Sequence, residues 1–357
     1  MPNEVELKLS VEPHFVDFLR QEITHLRVLH TEKQVLGNCY YDTSDCALAK
    51  QKVGLRVRQH NGDYTLTLKT DGEVKGGLHI RPEYNVSLPN AQPNVQLLAA
   101  QSGLDLDKIA QLPLKPIFST DFERQLWLVE CGNGTLIEIA FDLGSIIAGD
   151  KRAPICEVEF ELKSGKTHDL LRFVSTFTLE NGVRLGSASK AKRGYLLASE
   201  QPLVPSDWLE KWRDFLQFAQ HETDALQKLD ALFQLEQALI EETFLVETEY
   251  FATDFLRTVA QIGAFFNLYH YYQDNGKLLE ECVNQASSQY VRYDNTQVLA
   301  DLLESNQQLF AQIRDIIRLH SETKDNVLAL QRLKQVLKTG QYVKRMIQLI
   351  SLTVSEL

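Results

Sequence analysis

Several features that would announce a function are missing from this chain of 357 residues. Its five cysteines (Cys39, Cys46, Cys131, Cys156 and Cys282) are odd in number, far apart and without a C-x-x-C pair, which argues against a disulfide framework and against a zinc knuckle. There is no G-x-S-x-G elbow and no P-loop pattern, so neither a serine nucleophile nor a glycine-rich phosphate cradle is at hand. The most apolar stretch, Gly263 to Tyr272, is too short to span a bilayer. The amino terminus runs directly into a charged segment rather than a signal peptide, so a cytoplasmic protein with no membrane partner is expected. Histidines such as His14, His25, His30, His60, His79 and His168 stand singly. The net charge of −11 is unevenly spread: residues 1–200 hold 23 Lys+Arg against 26 Asp+Glu, and residues 201–357 hold 14 against 22. No basic stripe emerges, and no nucleic-acid partner is expected.

What the chain does have is a repeated device. Glu4-Val5-Glu6-Leu7-Lys8 alternates charged and apolar residues at the strand period of two. Four later segments do the same: Gly54 to Arg58, Thr65 to Lys69, Glu138 to Asp142, and Glu157 to Glu161. A solvated strand face would give any one of these rows. Rows of Glu-x-Glu repeat across the set, however, and would repel one another unless a cation sat between them. The basic rows built the same way suit a polyanion. Carboxylates on strands (Glu4, Glu6, Glu138, Asp142, Glu157, Glu159, Glu161) offer rigidly held oxygen donors for Mg²⁺ or Mn²⁺. Lys8, Arg56, Arg58, Lys69, Arg81, Arg124 and Lys190 are the candidates for phosphate, although acids and bases facing each other inside a barrel could instead pair structurally.

The order of elements gives these rows a frame. Helices are expected at Pro13–Leu26, within 93–112, at Thr167–Leu179 and at Ser189–Ala198. Strands are expected at the amino terminus and at Gln34–Asp42, Val53–His60, Asp63–Thr70, Leu78–Leu88, Lys115–Glu130, Thr135–Asp142 and Ile155–Lys163. Asn61-Gly62 is a hairpin signal, and Pro82 hints at a bulge or an edge. About eight mostly antiparallel strands point to a closed barrel. Composition shifts at Gln201–Pro205, after which Asp207 and Glu210 form an N-cap pattern and only helical periodicity follows. The expected fold is α+β, with an eight-stranded, mostly antiparallel β-barrel, closed or nearly closed, over 1–200 and an all-α bundle over 201–357. The aromatic run Phe265 to Tyr272 is expected in the bundle core.

The joint pattern resembles the CYTH superfamily of triphosphate tunnel metalloenzymes. Its E-x-E-x-K motif stands here as Glu4, Glu6 and Lys8, its paired arginines as Arg56 and Arg58, and its lysine strand as Lys69. The R-x-E strand stands as Arg81 and Glu83, the late acids as Asp142, Glu157 and Glu159, and the S-K motif as Ser189-Lys190. The resemblance implies a metal-dependent inorganic triphosphatase that hydrolyses tripolyphosphate to pyrophosphate and phosphate with two divalent ions, Mg²⁺ or Mn²⁺. Glu4, Glu6, Lys8 and Lys69 would be catalytic. Lys8, Arg56, Arg58, Lys69, Arg81, Glu83, Arg124 and Lys190 would hold substrate, and Glu4, Glu6, Glu138, Asp142, Glu157 and Glu159 would hold metal. A thiamine or nucleoside triphosphatase, an adenylyl cyclase, or a non-catalytic polyphosphate-binding module are the alternatives. The helical half resembles a reduced CHAD domain, but its acidity keeps polyphosphate binding from being carried over to it.

Overall fold

A computed structural model describes residues 3–199, 201, 203–289 and 295–354. Two compact units result: Met1–Val174 with Gly186–Pro202, and Ser175–Leu185 with Leu203–Leu357.

The first unit is built on β1 (Asn3–Ser10), β2 (Arg27–Asp42), β3 (Gly54–His60), β4 (Asp63–Lys69), the short β5 (Glu73–Lys75), β6 (Leu78–Leu88), β7 (Lys115–Cys131), β8 (Thr135–Ala148) and β9 (Lys151–Ser164). Around them lie α1 (Phe15–Ile23), α2 (Ala47–Lys50), α3 (Val95–Ser102), α4 (Asp107–Ala110), α5 (Thr167–Thr176) and α6 (Lys190–Ala198). The strands run β1-β9-β8-β7-β2-β3-β4-β6, and β6 pairs back onto β1. Every pairing in that ring is antiparallel, so the expected eight-stranded barrel is closed. Closure leaves no sheet edge in the ring to be guarded.

The alternation read in the sequence decides which way each side chain faces. Residues directly opposite in a ladder share a face. Lys8 opposes Glu159, Glu159 opposes Ala140, Asp142 opposes Arg124, and Arg56 opposes both Tyr40 and Thr67. Charged rows therefore line the inside, and the apolar rows face outward. There Leu55, Val57, Leu66, Leu68 and Val86 form a core with Val95 and Leu98 of α3 and with Leu106. The barrel is an inversion of the usual small barrel, whose interior is packed apolar, and its stability comes from the helices laid over it.

Several boundaries differ from the periodicity reading. β2 begins at Arg27 rather than Gln34, because residues 27–35 are largely exposed and carry no burial pattern. Pairing with β7, from Arg27↔Glu130 to Asp42↔Lys115 with register shifts at Val28/His30 and Tyr40/Tyr41, makes them a strand. The strands expected to end at Asp142 and to begin at Ile155 run on to a turn at Gly149 (φ +57°). Pro82 stands at the last pair of β6 with β1, next to the first pair with β4, Glu83↔Lys69. There the strand changes partners, and a missing N–H costs least. Asn61 (φ +52°) and Gly62 (φ +90°) make the expected left-handed hairpin turn.

The second unit is helical: α7 (Trp208–His221), α8 (Ala225–Leu245), α9 (Thr248–Ala252), α10 (Phe255–Asp274), α11 (Gly276–Gln289), α12 (Asn295–Thr323), α13 (Asn326–Val336) and α14 (Gly340–Thr353). Asp207 caps α7 by accepting from the amides of Leu209 and Glu210. Phe265, Tyr269 and Tyr272 lie in the core. Beside them Arg345 donates to Glu236 at 2.8 Å and to Asn306, while Tyr269 and Tyr342 donate to the same Glu236 oxygen. Among the described residues no helix is long and apolar enough to cross a membrane.

Candidate active site in the tunnel

Three acids converge on one side of the interior. Asp142 of β8 and Glu157 and Glu159 of β9 each offer a carboxylate oxygen, all within 4.8 Å of one another. Such crowding would protonate at least one of them if nothing opposed it. Three cations oppose it. Lys8 lies 2.7 Å from Glu159 and 3.4 Å from Glu157. Lys190 reaches Asp142 at 2.7 Å, Glu159 at 3.0 Å, and Glu157. Arg124 makes a two-pronged contact with Asp142, both at 2.7 Å, and a third with Glu159. Burial alone would push the Glu157 and Glu159 carboxyls up, but Lys190 and Lys8 hold both below the ordinary carboxylate range. Both acids are therefore ionised at neutral pH. The same acids hold Lys8 well above its ordinary value against its burial.

A second cluster lies along β1, β4 and β6. Lys69 bridges Glu4 and Glu83, each at 2.5 Å, and Arg81 stands 3.3 Å from Glu6 and 3.6 Å from Glu4. Burial pushes the Glu4 carboxyl up to about 7, with Lys69 opposing it. For Glu6 burial acts the same way, but Lys8 overrides it and holds the group down at about 2. Glu138 faces Lys163 at 3.5 Å, and Lys163 also contacts Glu161 at 2.7 Å.

Arg56 and Arg58 differ from the other cations. Their hydrogen-bond partners are neutral: Thr67 Oγ1 at 3.2 Å for Arg56, and Asn38 Oδ1 at 3.0 Å for Arg58. Arg56 Nε is buried with no hydrogen-bond partner among the described residues. Burial, with Arg56 and Arg124 nearby, pushes the Arg58 guanidinium down to about 9. An arginine does not give up its proton readily, so the region carries positive charge that no direct ion pair neutralises among the described residues.

Helix α6 brings its cations into the site by a close approach. Ser189 caps it by accepting from the Lys192 amide. A Cβ on Gly194 would meet Phe118 Cε2 at 2.0 Å, so only glycine lets the helix sit this near the ring. Tyr195 packs edge-on against Phe118 at 5.1 Å. The inward Leu36, Tyr40, Phe122, Ile146 and Ile155 complete this apolar seat.

Of the residues singled out from sequence, Lys8, Arg124, Lys190, Asp142, Glu157 and Glu159 meet in one cluster. Glu4, Lys69, Arg81 and Glu83 form the second, with Glu6 between the two. Arg56 and Arg58 make no direct salt bridge among the described residues, and Glu138 is engaged by Lys163. Three contributors had no role assigned from sequence. Arg193, one helical turn after Lys190, donates to Glu157 at 2.9 Å, and the i, i+3 spacing was the available signal. Lys163 continues the inward row of β9. Asn38 sits on β2 in a run without charge alternation, and only its pairing with Arg58 reveals it. Asp42, also buried, uses its oxygens on the amides of Thr43, Leu48 and Ala49 and is structural.

Comparison with known proteins places this geometry. The sequence profile of the CYTH domain matches residues 2–195. The chain is 48% identical over 356 residues to the inorganic triphosphatase of Haemophilus influenzae (strain ATCC 51907 / DSM 11121 / KW20 / Rd), covering 99% of this chain and 98% of that protein. Solved structures similar to it include a putative adenylyl cyclase from Hippeastrum described as having a dominant triphosphatase activity (17% identity, TM-score 0.41, 54% of this chain and 95% of that one). Another is a protein of Pyrococcus horikoshii OT3 (16% identity, TM-score 0.34, 53% and 96%). With a domain match over more than half its length and a near full-length relative at this identity, the chain belongs to the CYTH family.

Proposed function

We propose that the protein is a metal-dependent inorganic triphosphatase that cleaves tripolyphosphate to pyrophosphate and phosphate inside the tunnel. The observation that carries this reading is the pairing of two unlike regions. Arg56 and Arg58 are half-buried and make no salt bridge among the described residues, and a cluster of acids lies across the same interior. The first suits the phosphate chain; the second, made of hard oxygen donors, fits a divalent cation such as Mg²⁺ or Mn²⁺. A cation bound there would neutralise phosphate charge and lower the pKa of water.

The rest falls to the side chains. Arg56 and Arg58 present forks to phosphate oxygens. Lys8, Lys69, Arg81, Arg124 and Lys190 now neutralise acids; in our reading a bound polyphosphate draws them toward its own oxygens and frees Glu4 and Glu6 for a second cation, which Glu138 would join only if Lys163 released it. In-line transfer needs mainly this positioning and charge stabilisation. A bare triphosphate is favoured over a nucleotide because Tyr64, Tyr84 and Trp127 lie in register with outward residues (Gln59, Leu68 and Ile139). The inward Tyr40, Phe118 and Phe122 are packed in the seat of α6. Initial rates on tripolyphosphate, ATP and thiamine triphosphate, each with Mg²⁺ or Mn²⁺ and after chelation, test the proposal. Preference for ATP or thiamine triphosphate, or turnover that survives chelation, would overturn it.

A further inference from the structure

His79 and Gly186 meet where the chain turns into the segment leading to α6. His79 lies on the inner row of β6, opposite Glu6, and is 1% exposed. Its Nε2 stands 3.1 Å from the Gly186 carbonyl oxygen. A carbonyl only accepts, so Nε2 carries the proton and donates. Nδ1 is buried with no hydrogen-bond partner among the described residues. A buried ring with one nitrogen unsatisfied is destabilising, which makes the bond to Gly186 the polar contact that compensates for its burial. Burial pushes the imidazole down to about 4, so it is neutral at working pH.

Gly186 is held from its other side as well. Its amide donates to the Lys8 carbonyl at 2.8 Å, and a Cβ on it would stand 3.0 Å from Lys8 Cγ. Lys8 reaches Glu159 from this seat. Three residues after Gly186 comes the Ser189 cap, and then Lys190 and Arg193 enter the acidic cluster.

We propose that His79 is a positioning residue: by holding the Gly186 carbonyl it sets the start of α6, so that Lys190 and Arg193 meet Glu157 and Glu159. Its kinetic consequence rests on the triphosphatase reading above; its structural consequence does not.

The test uses the full chain. His79→Gln keeps an amide donor that reaches Gly186, whereas His79→Leu removes the donor. His79→Leu should lose about tenfold or more in kcat/KM for tripolyphosphate, while His79→Gln stays within about threefold of the parent. In a Lys190→Ala/Arg193→Ala background the leucine change should cost no more than about twofold, because both groups that it positions are gone. Without substrate, hydrogen exchange of the α6 amides should quicken in His79→Leu and not in His79→Gln. If the leucine variant fails to fold, His79→Asn, polar but too short to reach Gly186, takes its place. Additive losses with the Lys190→Ala/Arg193→Ala pair, unchanged α6 exchange, or equal damage from the glutamine change would overturn the proposal. A parent protein inactive on tripolyphosphate but with the expected exchange pattern would sink the function reading and leave the positioning role standing.

Discussion

Arg58 separates substrate binding from the architecture of the site. Burial and the nearby Arg56 and Arg124 disfavour its charge, and its partner among the described residues is a neutral amide oxygen, so removing it relieves repulsion in the protein without substrate. Arg58→Ala should therefore leave the melting temperature unchanged or raise it, while KM for tripolyphosphate rises by roughly ten- to a hundredfold, the equivalent of about 1.5–3 kcal/mol for a charge-assisted contact. Calorimetry and steady-state kinetics on one preparation would check both halves. A destabilised variant with normal KM would mean that the arginine serves the fold. The acids predict a pH signature. Glu6 titrates at about 2 in the folded chain against an ordinary 4.5, so its stabilisation is full above 4.5 and is lost as pH falls toward 2. Glu4, raised to about 7, acts oppositely: its contribution is present below 4.5 and is lost as pH rises through 7. Thermal melts should fall steeply on acidification below 4.5, less so in Glu6→Gln, and Glu4→Gln should flatten the change between 4.5 and 7.

At the scale of elements, α6 couples core packing to site chemistry. Its contact with Phe118 leaves no room for a methyl group on Gly194. Gly194→Ala should force the helix outward, at a cost of roughly 1–3 kcal/mol for overpacking, and should pull Lys190 and Arg193 from Glu157. Turnover of tripolyphosphate and the melting temperature should drop together. Phe118→Leu, which removes the ring edge the methyl would strike, should restore much of both. A Gly194→Ala variant with parental turnover would show that the helix can shift without disturbing its cations.

At the scale of the whole molecule, the two units do not follow the chain in two simple halves. The segment Ser175–Leu185 groups with the helices. Within that unit the Gly182 amide donates to the Lys338 carbonyl at 2.7 Å, Arg184 lies over the Phe244 ring at 4.6 Å, and Gly340 approaches the Leu179 carbonyl too closely for a side chain. Every site residue nonetheless belongs to the barrel unit. A chain ending at Pro202 should fold, bind Mn²⁺ and turn over tripolyphosphate, with a lower melting temperature because 175–185 has lost these partners. A well-folded but inactive truncation would show that the helical unit is needed to complete the tunnel.

The sequence by itself determined the strand rows. Period-two alternation in Glu4–Lys8, Thr65–Lys69 and Glu157–Glu161 follows from the pleat, which sends neighbouring side chains to opposite faces whatever the tertiary context. It also determined the Asn61-Gly62 turn and the Asp207 cap, both local in origin. Periodicity could not say which face was inside, because a polar-lined tunnel and a solvated strand show the same pattern. Only closure of β6 onto β1 turned the charged rows inward. Ladder pairing, rather than composition, extended β2 to Arg27 and carried β8 and β9 to Gly149. Which acid meets which base was likewise beyond the sequence: Asp142, Glu157 and Glu159 come from two strands, and their counter-ions Lys8, Arg124 and Lys190 come from three other elements. Those contacts depend on register across the barrel and on how near α6 can come to Phe118, and both are decided by long-range packing.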